Sequence, residues 1–257
     1  MTETRPILFY DIASGRPVRS YAPNPTKTRY ALNFKKAFYT TQWVELPDVA
    51  KTRRDILKVP PSRSHFDGSD YYTLPVIHDT SNDTKVGDSF DIAVYLDEIY
   101  PAPNPPLIPP SSVAIMRAWN TKCDAVFSGA SNTFGSIGLM YAHGLPFNPE
   151  TAEQSKSNFV AKVPGMTCWD DFDLKGEART ATLEGFQQDM KELGSYFRKR
   201  DEGPYLEGKI PTYADLILGG WLKLLSVALP EWDQVATWDD GLWGMLHDTL
   251  QREYGQE

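Results

Sequence analysis

Residues 74–89 read LPVIHDTSNDTKVGDS and combine an apolar run, a polar turn and the start of a helix. The apolar run predicts a strand, and the turn after it leads to a second, antiparallel strand that ends at Gly87. Pro75 has no N–H for a strand ladder, so we expect it at a sheet edge, at a bulge or in a cis peptide bond. This stretch therefore predicts an antiparallel hairpin.

A helix follows the hairpin directly. Ser89 begins the sequence SFDIAVYLDEIY, in which Ile92, Leu96 and Ile99 share one face and Pro101 ends the helix. The residues before the hairpin alternate between strand and helix patterns. They predict a strand at 7–12, a loop at 13–25, a helix at 26–36, a strand at 39–46, a short helix at 48–59 capped by Asp48, and a loop at 60–70. The first hundred residues are therefore of the α/β class.

Residues 101–110 read PAPNPPLIPP, and this proline-rich run predicts a linker between domains. Beyond it, apolar residues recur at steps of three and four, as in helices that bury one face. They are Val113, Met116, Trp119, Cys123, Val126 and Phe127, and later Leu183, Phe186, Met190, Leu193 and Phe197. Residues 145–172 predict an irregular insertion. The predicted organisation is an α/β domain over 1–100, a linker over 101–112 and an all-helical domain over 113–257.

Composition and charge exclude several kinds of protein. With 41% hydrophobic and 23% charged residues, the chain has the balance of a globular protein. A formal net charge of −8 opposes binding to phosphate backbones or anionic lipid, so we expect no nucleic-acid or membrane partner. The first apolar run is too short for a signal peptide, so we expect a cytoplasmic protein. Cys123 and Cys168 form no metal or disulfide pattern, and there is no G-x-S-x-G motif of a hydrolase.

Asp88 and Ser89 carry the first candidate binding site. They stand at the start of a helix, where free N–H groups and the positive end of the helix dipole attract anions. The Ser89 hydroxyl adds a donor for a carboxylate, and Asp88 is able to accept from an ammonium group. The pair could hold the head of an amino acid, although Ser89 alone also fits an ordinary helix cap.

A second motif lies at residues 208–216, GKIPTYADL. Thr212 is placed to cap a helix, and Asp215 is able to reach back to its backbone. Pro211 and Leu216 have the spacing of a hydrophobic staple. We expect this motif to be structural.

The element order and these features resemble the glutathione transferase superfamily. The resemblance implies a thioredoxin-like amino-terminal domain with glutathione as co-substrate, an all-helical second domain and a homodimer. In it, Leu74 precedes a cis Pro75 and offers its main chain to the cysteinyl part of glutathione, while Asp88 and Ser89 hold the γ-glutamyl head. The first eighty residues are most similar to a fungal class related to bacterial β-etherases. The matching segments are Tyr21-Ala22-Pro23-Asn24, 27–33 (KTRYALN), 43–45 (WVE) and 71–77 (YYTLPVI).

Ala22 departs from the pattern of that class, in which a serine commonly precedes the proline and donates to the glutathione sulfur. A free thiol has a pKa of about 8.5, so little of it is the nucleophilic thiolate at neutral pH. We expect a main-chain N–H, that of Asn24, to stabilise the thiolate instead. The nearby hydroxyls of Ser20, Tyr21 and Tyr10 are not expected to replace the serine. We therefore expect glutathione binding with weak or absent conjugation.

The resemblance also implies two further groups of ligand-binding residues. Candidates for the glycyl carboxylate of glutathione are Lys58, Arg63 and His65, with Arg63 favoured by charge and His65 by position. Candidates for an apolar pocket between the domains are Tyr21, Met116, Trp119, Phe127 and Tyr141. Aromatic residues at helical spacing fit a core equally well, so both interpretations of this second group stay open.

Several functions agree with this pattern. The first is a transferase of low activity that binds glutathione and aromatic or apolar compounds for detoxification. A variant of it is a ligandin, which carries phenolic or terpenoid molecules without turnover. Cleavage or reduction of glutathionyl adducts ranks third, because it usually requires cysteine at position 22. The alternative is a non-catalytic interaction module with a degenerate pocket. We expect the helix over 113–127 to contribute to a dimer interface.

Overall fold

A four-stranded mixed sheet forms the centre of the amino-terminal half. The computed structural model describes residues 6–64, 68–103, 105–128, 137–163, 165–197 and 202–257. Its strands are β1 (Ile7–Ile12), β2 (Tyr39–Val44), β5 (Val76–Asp79) and β6 (Thr84–Gly87), and a separate ribbon joins β3 (Arg63–Ser64) to β4 (Asp70–Tyr71). The sheet has the order β2-β1-β5-β6, in which β1 and β2 are parallel and the other neighbours are antiparallel. The predicted thioredoxin-like α/β arrangement is confirmed.

Two helical segments connect these strands, and a third follows the last strand. They are α1 (Pro23–Phe34), α2 (Val49–Lys51), which continues as a π-helical turn over Thr52–Ile56, and α3 (Ser89–Ile99). Alternate residues of β1 are buried, so Ile7, Phe9 and Asp11 point away from solvent. The buried Asp11 carboxylate accepts from Arg29 of α1 at 2.8 Å, which ties the first helix to the first strand.

The second half is helical throughout its described residues. Its helices are α4 (Val113–Ser128), α5 (Ile137–Tyr141), α6 (Ala152–Lys162), α7 (Gly176–Gly194), α8 (Tyr213–Ala228), α9 (Trp232–Ala236) and α10 (Trp238–Tyr254). Helix α8 is central, with Leu216, Ile217 and Leu218 fully buried. No helix in the described part of the chain is both long and apolar enough to cross a membrane.

Helix α1 packs closely against α8 because two glycines leave room for it. A Cβ atom on Gly220 would lie 2.5 Å from the Pro23 carbonyl oxygen and 2.7 Å from Cγ of Lys27. A Cβ atom on Gly219 would lie 3.0 Å from the ring of Tyr30 and would also meet Leu250. A side chain at either position would therefore force the two helices apart.

An ion pair with a fully buried lysine completes this contact. The side chain of Lys27 is 0% exposed and that of Asp124 is 34% exposed, and Nζ of Lys27 donates to Asp124 of α4 at 2.8 Å and to Asn120 at 3.2 Å. The same carboxylate oxygen accepts from Nε1 of Trp221 at 2.8 Å. Since an unpaired buried ammonium is costly, the pair fixes how α1 meets the helical domain.

The capping box predicted at the start of α8 is present. Oγ1 of Thr212 accepts from the Ala214 N–H at 3.3 Å, and Oδ2 of Asp215 accepts from the Thr212 N–H at 2.8 Å. The other oxygen of Asp215 accepts from the Leu206 N–H at 2.7 Å, so the same carboxylate also holds the segment before the helix. Burial raises the pKa of Asp215 to about 6, although these hydrogen bonds oppose the rise.

Some boundaries differ from the sequence predictions. Helix α1 begins at Pro23 rather than at residue 26, since proline fits the first helical position. Asp48 makes no capping hydrogen bond and ends a 3₁₀ turn over Leu46–Asp48, and the segment after it divides into α and π turns. The predicted irregular insertion contains α6, which buries only Ser155 and so lacks an apolar stripe. The predicted loop before β5 contains the short β3–β4 ribbon.

Replacing Asp215 by alanine should lower the free energy of unfolding by about 2 to 4 kcal/mol, because two buried backbone N–H groups lose their acceptor. Urea unfolding followed by tryptophan fluorescence measures the loss. A matched control is Asp233→Ala, at an exposed position in the first turn of α9, which should cost less than about 1 kcal/mol. Equal losses for the two variants would contradict the role of Asp215.

The same carboxylate predicts a pH dependence. Its pKa of about 6 in the folded protein lies above its usual value of 3.8, so the folded state retains the proton between these values. The resulting stabilisation is present below about pH 4 and is lost as the pH rises through 6. We expect the difference in unfolding free energy between the native protein and Asp215→Asn to shrink from pH 4.5 to pH 7. A constant difference would contradict the raised pKa.

Candidate functional site

The two predicted binding elements meet at one end of the β5–β6 hairpin. Val76 pairs with Gly87 in the sheet, and the Pro75 carbonyl accepts from the Asp88 N–H at 3.4 Å. The Leu74–Pro75 peptide bond is cis. Neither the N–H nor the C=O of Leu74 takes part in a backbone hydrogen bond with the described residues. The structure thus places an open peptide edge beside the start of α3.

Asp88, rather than Ser89, is the cap of α3. Its Oδ1 accepts from the Phe90 N–H at 2.9 Å, and no described residue donates to its Oδ2. Its backbone has φ of 86°, in the left-handed region that a non-glycine residue rarely adopts. Such conformations concentrate at functional sites. Ser89 is the first helical residue and is buried, with its hydroxyl near the phenol of Tyr213.

Arg53 is a residue of this site that the sequence analysis missed. Its guanidinium donates through Nε to the Pro60 carbonyl and through Nη1 to Ser62 Oγ and the Thr73 carbonyl, each at 2.8 Å. Its Nη2 lies next to Gly87, where a Cβ would come within 2.5 Å of it. Burial lowers the pKa of Arg53, and the charge of Asp88 opposes this effect.

Arg53 therefore joins the segment after α2 to both sides of the candidate pocket. It occupies the same helical face as the buried Val49, Thr52 and Leu57. The position of Arg53 on this buried face was the feature of the sequence that could have identified it, because its residue type does not distinguish it from its exposed neighbour Arg54.

The start of α1 offers two free backbone donors. Ala22 is the N-cap with an extended backbone, and the Thr26 N–H already donates to the Ala22 carbonyl at 3.0 Å. Pro23 and Pro25 have no N–H. The N–H groups of Ala22 and Asn24 are therefore the donors of this turn that remain without a backbone partner among the described residues.

The hydroxyl groups near Ala22 differ in their engagement. Oγ of Ser20 lies 3.2 Å from Oγ1 of Thr26, which donates to the Ala22 carbonyl. Burial raises the pKa of Tyr21 and of Tyr10, so both phenols keep their proton at neutral pH. A backbone donor in place of the serine hydroxyl stays a prediction.

A cavity of about 550 Å³ lies between the two domains, beside the loop that precedes α1. One wall is the loop from Ser14 to Tyr21, the other is 146–150, and Lys223 and Val227 of α8 line it as well. Of the predicted pocket residues, Tyr21 lines this cavity.

The other four predicted pocket residues do not line this cavity. They are Met116, Trp119, Phe127 and Tyr141. Phe127 is fully buried and stacks on Trp221 with ring centroids 5.5 Å apart, and Trp119 donates to the Ala214 carbonyl at 3.2 Å. These side chains pack in the helical domain, as their helical spacing also allowed.

The predicted basic residues have different surroundings. Arg63 is exposed on β3, with its guanidinium 4.7 Å from the ring centroid of Tyr71. Lys58 is exposed, and His65 lies outside the described residues. Within the described chain, no cluster of three or more histidine, cysteine or acidic side chains could hold a metal ion.

Two family models match the chain. The model of the glutathione S-transferase N-terminal domain matches residues 21–99, and that of the C-terminal domain matches residues 151–254. The glutathione S-transferase-like protein ustS of Aspergillus flavus is 32% identical over 243 residues, which cover 86% of this chain and 81% of that protein.

Solved structures of fungal proteins are similar over nearly the whole chain. A glutathione S-transferase of Ceriporiopsis subvermispora in complex with glutathione has a TM-score of 0.84 and 30% identity, covering 97% of this chain and 98% of that chain. A second from the same organism, also in complex with glutathione, has a TM-score of 0.84 and 26% identity over 97% and 100%. Glutathione transferase GSTFuA3 of Phanerochaete chrysosporium has a TM-score of 0.83 and 25% identity over 98% of each chain.

Replacing Arg53 by lysine should lower the free energy of unfolding by about 2 kcal/mol, because an ammonium group cannot make all three hydrogen bonds of the guanidinium. Hydrogen exchange should also increase at residues 60–64, which Arg53 holds. The matched control is Arg54→Lys, which changes the exposed neighbouring arginine and should leave both measurements nearly unchanged. A similar response of the two variants would be evidence against a tethering role for Arg53.

Proposed function

The chain belongs to the glutathione S-transferase family, and we propose that it binds glutathione in the pocket formed by Leu74–Pro75 and Asp88–Ser89. The observation that carries this proposal is the open peptide edge of Leu74 beside the capped start of α3. Each element suits a different part of the tripeptide, and the two flank adjacent strands, since Leu74–Pro75 precedes β5 and Asp88–Ser89 follows β6.

Each group of the pocket has a proposed role. The N–H and C=O of Leu74 pair with the cysteinyl residue of glutathione. The helix terminus and the Ser89 hydroxyl bind the γ-glutamyl carboxylate. The free Oδ2 of Asp88 accepts from the γ-glutamyl ammonium group. Arg63 or His65 contacts the glycyl carboxylate.

We propose that conjugation is weak. The glutathione sulfur would lie near Ala22, whose methyl group donates no hydrogen bond. Of the free N–H groups at the start of α1, we assign that of Asn24 to the thiolate. One backbone N–H at a helix terminus lowers a thiol pKa less than it would together with a placed hydroxyl. The chain is thus better equipped to bind glutathione than to activate it.

The second ligand is proposed to be an aromatic or apolar compound. The cavity between the domains lies beside Tyr21, which adjoins Ala22, so a bound compound would approach the glutathione sulfur. Its volume of about 550 Å³ falls within the range of small-molecule sites. A detoxifying enzyme would conjugate this compound with glutathione, whereas a ligandin would bind it without turnover. Met116, Trp119, Phe127 and Tyr141 would support the pocket from the core behind it.

Several broader assignments accompany this proposal. The similarity to fungal proteins favours the fungal class related to β-etherases. A homodimer through α4 is favoured by Ile115, whose apolar side chain is 73% exposed. We propose a cytoplasmic location and keep the domain bounds 1–100, 101–112 and 113–257.

Calorimetric titration with glutathione tests the pocket. We expect one glutathione per chain and a loss of affinity of about tenfold or more in Asp88→Asn, which removes the acceptor for the ammonium group. The matched control is Asp91→Asn in the same helical turn, where the carboxylate pairs with Arg117 at the surface, and it should bind normally. Absence of glutathione binding by the native chain would instead favour an interaction module with a degenerate pocket.

Replacing Ala22 by serine should raise the rate of conjugation of 1-chloro-2,4-dinitrobenzene by about tenfold or more, since a hydroxyl then donates to the thiolate. The affinity for glutathione should change little. Ala37→Ser, the same substitution at a half-buried position outside the pocket, controls for general effects of the hydroxyl. Rapid turnover by the native chain that Ala22→Ser leaves unchanged would refute the proposal of weak catalysis.

A further inference from the structure

The cavity between the domains is basic, whereas the chain as a whole is acidic. Three cations line it: Arg16 and Arg19 from the loop before α1, and Lys223 from α8. Glu150 is the carboxylate among its described lining residues, in a chain with a formal net charge of −8. Charges of one sign in a concave site raise the local concentration of the opposite ion.

These cations have no ion-pair partner in the described parts of the chain. Glu257 is the acidic group that faces Lys223, and its Oε1 accepts from the Ser20 N–H at 2.9 Å. Burial lowers the pKa of Lys223, the charge of Glu257 raises it, and the charge of Arg19 lowers it by the smallest of the three effects. An anion in the cavity would relieve the repulsion between these two cations.

The rest of the wall is aromatic and aliphatic. It includes the rings of Tyr21 and Phe147, three proline residues and Val227. Flat ring systems are the ligands that such surfaces bind best, because they stack on aromatic faces and displace water from aliphatic ones. The apolar part of the wall therefore favours an aromatic ring system, and the cations favour a negatively charged substituent.

Hydrogen bonds hold the walls in place. Oγ of Ser14 accepts from the Arg19 N–H at 2.8 Å and donates to the Gly15 carbonyl at 2.8 Å. The Gly15 N–H donates to the Pro146 carbonyl at 2.7 Å, which joins the two walls. Glu45 of the first domain accepts from Asn148 at 2.8 Å and from Thr151 at 2.9 Å. The cavity is preorganised, which reduces the entropy cost of binding.

We infer that the second ligand is an aromatic anion, a flat ring system with a carboxylate or sulfonate, whose charge is bound by Arg19 and Lys223. This inference rests on the proposed function, because the cavity adjoins the loop that would bind the glutathione sulfur. It narrows the ligand class from aromatic compounds in general to acidic ones. Arg16 and Arg19 are both exposed at the rim, Lys223 is half-buried, and Arg16 adds to the attraction.

A matched pair of probes tests the charge preference: 2-naphthoate and 2-naphthamide have the same ring system and nearly the same shape. Each is titrated into the full-length chain saturated with glutathione, at low and at physiological ionic strength. We expect 2-naphthoate to bind about tenfold or more tightly than 2-naphthamide. Arg19→Gln and Lys223→Gln should each remove most of this difference and leave 2-naphthamide binding unchanged.

The control variant is Lys191→Gln, which removes an exposed lysine of α7 and changes the net charge by the same amount. It should behave like the native chain. Equal affinity for both probes, no binding of either probe, or an equal effect of Lys191→Gln would each overturn the inference. A separate titration with glutathione alone distinguishes failure of the proposed glutathione site from failure of this inference. Arg19→Gln and Lys223→Gln should leave the affinity for glutathione unchanged.

Discussion

The close contact between α1 and α8 is the constraint on which the rest of the structure depends. It joins the two domains through a helix that begins at Pro23, directly after Ala22. Gly219 and Gly220 allow the approach, since a Cβ on either would overlap with α1. The contact therefore sets the position of the proposed sulfur site relative to the helical domain, with no flexible element between them.

The Lys27–Asp124 pair adds orientation to this contact. Packing against glycine is non-directional, whereas an ammonium group buried at 0% exposure must find its carboxylate. Asp124 also accepts from Trp221, so α1, α4 and α8 share one acceptor. A buried ion pair is weak as a source of stability but strong as a source of specificity when both partners are held, which is the use we assign to it here.

The insertion after α5 also joins the two domains, on the side of the cavity opposite the loop that precedes α1. Residues 146–151 lie in the helical half of the sequence, yet Gly15 and Glu45 of the first domain bind them. Together with α8, this docking turns an open cleft into a cavity with defined walls. The cations on those walls come from both domains, so the ligand class depends on the relative placement of the domains as much as on the residues themselves.

Local features of this molecule could be predicted from the sequence, and contacts between distant segments could not. The β5–β6 hairpin and the Thr212 cap follow from residues near one another in the chain. Helix α6 was missed because it lies on the surface and buries almost nothing, so it has no periodic apolar stripe. Lys27 looks like any helical lysine until α4 is placed beside it.

The four predicted pocket residues that do not line the cavity between the domains illustrate the same limit. Helical spacing predicts that Phe127 is buried, and it is, but it does not say whether a ring faces a ligand or another ring. The helical pattern could have predicted that Arg53 is buried. It could not have predicted the three acceptors of Arg53, because they come from segments on both sides of the β3–β4 ribbon.

The proline residues around Asn24 increase the effect of having alanine at position 22. A helix terminus ordinarily presents several free N–H groups, but Pro23 and Pro25 leave this one with those of Ala22 and Asn24. A serine oxygen at the N-cap could accept from the Asn24 N–H and donate its own proton to the sulfur, so that each hydrogen bond strengthens the other. With alanine the proposed sulfur site has backbone N–H groups alone. The loss is that of a two-bond chain rather than of one hydroxyl, and this loss is the physical basis of the weak activation of glutathione that we propose.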